Sequence, residues 1–403
     1  MRKRIYVITM LVFILALQCF APDRALASDY YGETVALIDG SSGRLLFGKE
    51  EKLAHSNAST TKLLTCILTL EHMSENQLAT ISQNAQCQPE VRMGIKEGEH
   101  YRLEELLYGL MLESYNDCAV AIAEAIGESE AGFAVMMNDK LKEIGCEDTY
   151  FITANGLDAE DKFGSHHSTA YDLCQIMRYC AFSSVKKDEF LQIVQAKEHT
   201  VISEEGRSFV CVNHNQFMLE ESCVIAGKTG FTNAAGYCYV FAAETQRGEK
   251  YCGATLGSGW PPHKSFKWKD ARRLLKYGQE NFESRSIVLS PGNPQIRCRN
   301  VWKKGKLFSQ RDKATLVKCN IVLEHNELKL LLGKDDCITQ ELIINQREFG
   351  QVCKGEEVGK YVIRLNDKPI MEAKICTIEE TKRWNLKLYL RSFFEEMRMV
   401  LSS

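Results

Sequence analysis

Ser59 and Lys62 stand three residues apart in Ala58-Ser59-Thr60-Thr61-Lys62-Leu63-Leu64, and an apolar run continues behind them to Leu70. On a helix, residues three apart share a face. Leu63, Leu64, Cys66, Ile67, Leu68 and Leu70 leave that helix almost no polar side, so it is predicted to cross a core with Ser59 near its N-terminus. There the hydroxyl sits among free N–H groups at the positive end of the helix dipole. Such a serine is placed to carry a developing oxyanion, with an amine one turn away to take its proton. The spacing alone is weak, since Ser-x-x-Lys is expected by chance about one or two times in a chain this long. Two further motifs follow in order, Ser114-Tyr115-Asn116 and Lys228-Thr229-Gly230. Chance supplies the second motif about once and the third about one time in ten. Taken singly, Ser59 reads as a helix cap, Ser114 and Asn116 as a turn, and Lys228 as a surface charge. Together and in this order they read as one site.

The elements around these motifs give them plausible positions. Thr34 to Asp39 and Arg44 to Phe47 flank Gly40-Ser41-Ser42-Gly43, the pattern of a β-hairpin. Leu103, Leu106, Leu107, Leu110 and Met111 recur at helical spacing up to a break at Glu113 to Asn116, after which Asp117 opens a helix that Gly127 ends. From Ala131 to Phe182 the pattern is mostly helical, interrupted by a polar loop, Ala154 to Ser168. Strand patterns return at Phe209 to Cys211, Val224 to Thr229, Tyr237 to Glu244 and Tyr251 to Leu256, and an amphipathic helix, Trp268 to Phe282, closes the region. Strands at both ends with helices between predict one α+β domain whose sheet joins distant segments. That sheet would bring Lys228 alongside the Ser59 helix.

Beyond Ser290-Pro291-Gly292-Asn293-Pro294 the period changes to two, at Leu316 to Leu323, Leu328 to Leu332, Glu341 to Ile344, Tyr361 to Leu365 and Ile370 to Ile375. This predicts a small all-β domain over 292–378 after a first domain over 28–285. The last segment, 380–403, is read as a helix from Lys382 to Leu401. It carries Leu386, Tyr389, Leu390, Phe393, Phe394, Met397, Val400 and Leu401 on one side and Lys382, Arg383, Lys387, Arg391 and Arg398 on the other. A basic amphipathic helix of this kind can lie in a membrane interface, and it is too charged to span one. The competing reading is a helix docked on a protein core.

The 403 residues carry a formal net charge of −3 with 26% charged residues, which implies no nucleic-acid partner. Arg2-Lys3-Arg4, the apolar stretch Ile5 to Phe20 and Ala25-Leu26-Ala27-Ser28 read as a signal peptide over 1–27, cut after Ala27, so the chain is expected to be exported. Gln18 before Cys19 argues against a lipoprotein signal. Sixteen cysteines are many for an exported chain, and without Cys-x-x-Cys pairs they form no metal or disulfide framework. Most read as small buried hydrophobes, with room for a disulfide or two. No metal and no cofactor are expected. His166 and His167 lie in the polar loop, where solvated side chains are expected, and no Gly-x-Ser-x-Gly accompanies them.

The three motifs resemble those of the penicillin-binding proteins and serine β-lactamases. The chain is similar over nearly its whole mature length to the low-molecular-weight penicillin-binding proteins, serine-type D-alanyl-D-alanine carboxypeptidases. Ala58 to Lys62 and Lys228 to Cys238 carry the likeness most closely, joined by Asn155-Gly156-Leu157, Ser168 to Leu173 and Asn213-His214-Asn215. Tyr115, where the family carries Gly or Ala, and Ala226-Gly227, where Asp-Gly is common, depart from it. The resemblance implies a β-lactamase/transpeptidase-like domain, an antiparallel sheet flanked by helices, followed by the all-β domain and an anchoring C-terminal helix. It implies Ser59 as nucleophile, Lys62 as base, Ser114 as proton relay and Asn116 as the orienting amide. Lys228 and Thr229 would hold the substrate carboxylate, Gly230 would admit the substrate backbone, and the N–H groups of Ser59 and Phe231 would form the oxyanion hole. The implied partners are peptidoglycan stem peptides, β-lactams as covalent inhibitors, and the outer face of the cytoplasmic membrane. A β-lactamase-like hydrolase and a non-catalytic peptidoglycan sensor are the alternatives.

Overall fold

A computed structural model describes residues 29–289, 292–323, 326–344 and 349–402. The predicted signal peptide, with Cys19, lies outside the described residues. The chain divides after Ser284 into two compact units.

In the first unit, β1 (Thr34–Asp39) and β2 (Leu45–Lys49) form the expected hairpin, and β3 (Val224–Thr232), β4 (Gly236–Glu244) and β5 (Lys250–Leu256) come from the far end of the region. They assemble into one antiparallel sheet in the order β2-β1-β5-β4-β3, so the first hairpin pairs with the last strand and β3 is left at an edge. Side chains alternate across the sheet. Ala36 lies under the Cys174 thiol of α4 (Ala170–Arg178) on one face. Leu37 meets Gly278 of α5 (Phe266–Asn281) on the other.

Between β2 and β3 runs a helical layer whose centre is α1 (Lys62–His72), buried from Lys62 to Leu70 as its all-apolar pattern requires. α2 (Asn116–Gly127) and α3 (Glu130–Glu143) follow, with α3 capped by the Ser129 hydroxyl accepting from Gly132 N–H. Their buried faces share a core with the inner face of the sheet, including Leu64, Ile67, Val120, Ile122, Phe133, Leu173 and Val240. All fifteen cysteines among the described residues are free, and ten of them are buried.

The second unit has its own core around Ile296, Val317, Ile363 and Ile375. Its main sheet runs β6-β7-β10-β9-β8, from β6 (Gln295–Cys298), β7 (Thr315–Ile321), β8 (Ile338–Ile344), β9 (Glu357–Leu365) and β10 (Lys368–Thr377). Its last helix begins later than the pattern suggested. Lys382 and Arg383 pair as strand with Trp302 and Val301, and Asn385 then caps α6 (Leu386–Leu401), its side-chain oxygen accepting from Leu388 N–H. Ser392 is the buried residue of α6. Its hydroxyl accepts from Trp302 Nε1–H at 2.9 Å and donates to the Lys306 carbonyl at 3.1 Å. Tyr389 and Phe393 pack edge-on against Phe308, so the helix is docked through Ser392 and part of its aromatic side, while Leu386, Leu390, Phe394 and Leu401 stay exposed.

Candidate active site

Ser59 stands in a 3₁₀ turn, Ala58–Thr61, that winds directly into α1. Ala58 before it has φ +48° and Ser114 has φ +66°, two non-glycine residues in the left-handed region, each worth about 1–3 kcal/mol of strain. Surrounding structure holds both in place. Asn57 donates from its side-chain amide to Thr60 Oγ1 and Thr61 Oγ1, and Thr61 Oγ1 donates to the Ala58 carbonyl at 2.9 Å. Behind Thr61 lies His166, buried and not solvated as its polar loop suggested. Its Nδ1 accepts from Ile152 N–H, so Nε2 carries the hydrogen and donates to Thr61 Oγ1 at 2.9 Å. Burial, with a smaller push from His167, holds it neutral with a pKa lowered to about 3.

Lys62 Nζ has three neighbours: Ser59 Oγ at 2.8 Å, Asn116 Oδ1 at 2.9 Å and the Asn155 carbonyl at 2.7 Å. Complete burial, reinforced by the Lys228 charge, lowers its pKa well below that of an ordinary lysine. Two of the neighbours are carbonyl oxygens and can only accept. A neutral Lys62 therefore spends both its hydrogens on them and turns its lone pair towards the hydroxyl of Ser59. Asn116 itself is fixed by donating from Nδ2 to the Pro89 carbonyl at 3.1 Å. Next to it Asp117, fully buried, accepts from the N–H groups of Met93, Gly94 and Ile95 and so pins the preceding loop to the start of α2.

Lys228 comes from the other wall. Its Nζ donates to Ser114 Oγ at 2.9 Å and to the Thr229 carbonyl at 3.1 Å. Burial, with help from the Lys267 charge, lowers its pKa to about 7. Gly230 has a nearer reason to be glycine than substrate approach: a Cβ there would stand 3.0 Å from Ser59 N and from the Asn57 carbonyl. This close passage sets the next residue, Phe231, alongside the Ser59 turn. Tyr237, its partner on β4, donates its N–H to the Gly259 carbonyl and accepts from Ser258 N–H. The hydrogen-bonding groups of Tyr237 thus face away from β3, and those of Phe231 are directed off the open edge of the sheet.

All the residues singled out in the sequence meet in one groove of about 530 Å³, whose lining includes Ser59, Ser114, Asn116, Lys228, Thr229 and Phe231. Lys62 lies beneath Ser59. Tyr115 does not change the groove, because its ring packs against the hydrophobic core beside Gly109. Four participants escaped sequence reasoning: the Asn155 carbonyl, His166, Asp117 and Lys267. A backbone carbonyl has no residue-type signature. Asp117 has one, being an acid directly after the second motif at a helix start.

Residues 22–257 match the family described as D-alanyl-D-alanine carboxypeptidase. The chain is 34% identical over 212 residues to the D-alanyl-D-alanine carboxypeptidase DacB2 of Mycobacterium tuberculosis, covering 52% of this chain and 70% of that protein. It is 23% identical over 398 residues to the D-alanyl-D-alanine carboxypeptidase DacF of Bacillus subtilis, covering 95% and 96%. The fold is that of penicillin binding protein 5 from Haemophilus influenzae, with a TM-score of 0.69 at 22% identity over 88% of this chain and 98% of that one.

Proposed function

The chain belongs to the D-alanyl-D-alanine carboxypeptidase family, and from that premise we propose how its residues divide the work of a serine-type D-alanyl-D-alanine carboxypeptidase acting on peptidoglycan pentapeptide stems. Ser59 Oγ attacks the carbonyl carbon of the penultimate D-alanine, and its proton passes to Lys62 Nζ. The oxyanion is received by the N–H groups of Ser59 and Phe231. As the peptide C–N bond breaks, the proton on Lys62 reaches the departing amine through the Ser114 hydroxyl, while Asn116 keeps Lys62 in line. Water then attacks the acyl-serine carbonyl, giving one proton to Lys62. The bond from the acyl carbon to Ser59 Oγ breaks, Lys62 returns the proton to Ser59 Oγ, and the shortened peptide leaves as the free acid with Lys62 neutral again. Thr229 and Lys228 take the terminal carboxylate, and the open edge of β3 takes the substrate backbone as an added strand. A β-lactam would acylate the same serine and stall there.

The observation that carries this reading is the set of contacts around Lys62, which leaves its lone pair for the Ser59 hydroxyl 2.8 Å away. The test is D-alanine release from a short peptide ending in Lys-D-Ala-D-Ala. Steady turnover lost in Ser59→Ala is expected; equal turnover in that variant would remove Ser59 from the mechanism.

We place the protein outside the cytoplasmic membrane, resting on its surface through α6. Support comes from Leu386, Leu390, Phe394 and Leu401, which stay exposed on a helix held to the unit through Ser392, Tyr389 and Phe393. No helix among the described residues is long and apolar enough to cross a membrane. Flotation with anionic vesicles should be lost on Leu390→Glu/Phe394→Glu; unchanged flotation would exclude α6 as the anchor.

A further inference from the structure

The second unit holds two cavities that the steps above leave unused, and Arg311 lines both. The first, of about 480 Å³, lies where the strand pair of Val301 and Arg383 gives way to α6. Its lining carries three guanidinium groups, from Arg299, Arg311 and Arg383, and one carboxylate, from Asp312. Asp312 is exposed and stands 3.6 Å from Arg311 Nε, too far for a hydrogen bond. The cavity therefore keeps an excess of positive charge. Trp384 also lines it, tilted against Tyr389 with ring centres 4.8 Å apart. Its Nε1 is buried without a hydrogen-bond partner among the described residues. A buried donor is costly until an acceptor reaches it.

The second cavity, of about 420 Å³, is apolar. Phe308, Phe393, Met397, Val400 and Leu401 line it, the last four recurring at helical steps along α6. Arg311 borders it with Cζ 4.5 Å from the Phe308 ring centre. The carboxylate at its margin, Glu396, is engaged by Ser309 N–H at 3.0 Å. A small soluble anion would answer the first cavity and leave the second open, and a hydrocarbon would do the reverse. A phosphate joined to an acyl chain answers both. Arginine suits that phosphate, because its planar fork meets two oxygens at once.

We propose that the second unit binds one anionic glycerophospholipid, its phosphate among Arg299, Arg311 and Arg383 and an acyl chain in the slot between Phe308 and α6. The proposal rests on the reading that α6 lies on the membrane surface, and it deepens that reading. Exposed apolar side chains hold the helix to any bilayer. The arginine cavity adds selection for a negatively charged headgroup and fixes how the unit sits on the surface.

The test is calorimetric titration of the full chain with dihexanoylphosphatidylglycerol kept below its micelle concentration. Saturation at one lipid per chain is expected. Dihexanoylphosphatidylcholine, whose choline cancels the phosphate charge, should bind about 10-fold more weakly. Glycerophosphoglycerol and inorganic phosphate, which lack the chains, should also bind at least about 10-fold more weakly. Losing one charge-assisted hydrogen bond corresponds to about 10- to 100-fold in binding, so Arg383→Gln should weaken the phosphatidylglycerol complex by about 10-fold. Arg383→Lys, which keeps the charge, should lose less. Lys387→Gln removes the same charge from an exposed position on α6 outside the cavity and should leave binding unchanged. Equal losses in Arg383→Gln and Lys387→Gln would overturn the proposal, as would phosphate or phosphatidylcholine binding as tightly as phosphatidylglycerol. Flotation keeps the anchor and the lipid site apart. If Leu390→Glu/Phe394→Glu left flotation unchanged while Arg383→Gln still weakened the monomeric lipid complex, the α6 anchor would fall and the lipid site would stand. Flotation lost in the double variant, with no binding of monomeric lipid by the wild type, would overturn the lipid site and keep the anchor.

Discussion

Lys62 and Lys228 in the first unit and Lys306 in the second are all buried, yet their amines meet different surroundings. Lys306 Nζ donates to the Val301, Arg311 and Lys313 carbonyls and to Thr315 Oγ1. Four oxygens compete for three hydrogens, so the charge is answered in full and the loop from Val301 to Thr315 is tied together around it. Lys62 has two acceptors and a hydroxyl, and Lys228 a hydroxyl and one carbonyl. Each keeps a direction in which a proton or a ligand oxygen can be taken. The lesson is that burial does not by itself distinguish a structural lysine from a chemical one. The count of acceptors does.

Substituting methionine at Lys62 and at Lys306 separates the two kinds most sharply. Lys62→Met is expected to lower the rate of acylation by roughly 10⁴-fold, the scale seen when one member of a concerted catalytic group is removed. Its effect on stability should be small. Asn116 Oδ1 and the Asn155 carbonyl lose a donor, but a costly buried amine is replaced by an apolar chain of similar length. Lys306→Met should do the reverse, costing the second unit about 3 kcal/mol because several buried carbonyls lose their common donor. D-alanine release from a soluble peptide should be unchanged. Denaturant melts and acylation rates on the two variants decide it; a Lys306→Met enzyme slowed as much as Lys62→Met would abolish the distinction.

How far the sequence discloses this arrangement depends on whether a role belongs to a side chain or to its surroundings. Ser59 and Lys62 are legible because one helical turn fixes their relation. Ser114, Asn116 and Lys228 are legible as residue types at the ends of recognisable elements. The closure of β1 onto β5 follows from strands at both ends of an α+β region, although its register does not. Lys267 is opaque, since Lys267-Trp268-Lys269 reads as the polar flank of an amphipathic helix. Only the aromatic rings of β4 and α5 reveal that it is covered. His166 misleads for the same reason, as a polar loop gives no sign that its histidine is folded inward against Thr61. Tyr115 misleads in the other direction, because adjacency to Ser114 suggests the groove while the left-handed turn at Ser114 sends its ring to the core.

The subtlest consequence lies between the two lysines of the first unit. An amine base acts when deprotonated, so the acylation rate climbs as pH rises through the pKa that Lys62 has in the folded enzyme. Burial supplies most of the lowering of that pKa, and the Lys228 charge supplies the next part. Lys228→Met removes the second contribution and leaves the first. The pKa of Lys62 then rises, and the acid limb of the pH profile moves to higher pH while staying below the range of an exposed lysine. The position of the limb is the informative quantity, because Lys228→Met also weakens carboxylate binding and lowers the whole profile. Lys306→Met should leave the limb in place. A limb that fails to move in Lys228→Met would mean that burial alone holds Lys62 neutral, and that Lys228 serves the substrate and not the base.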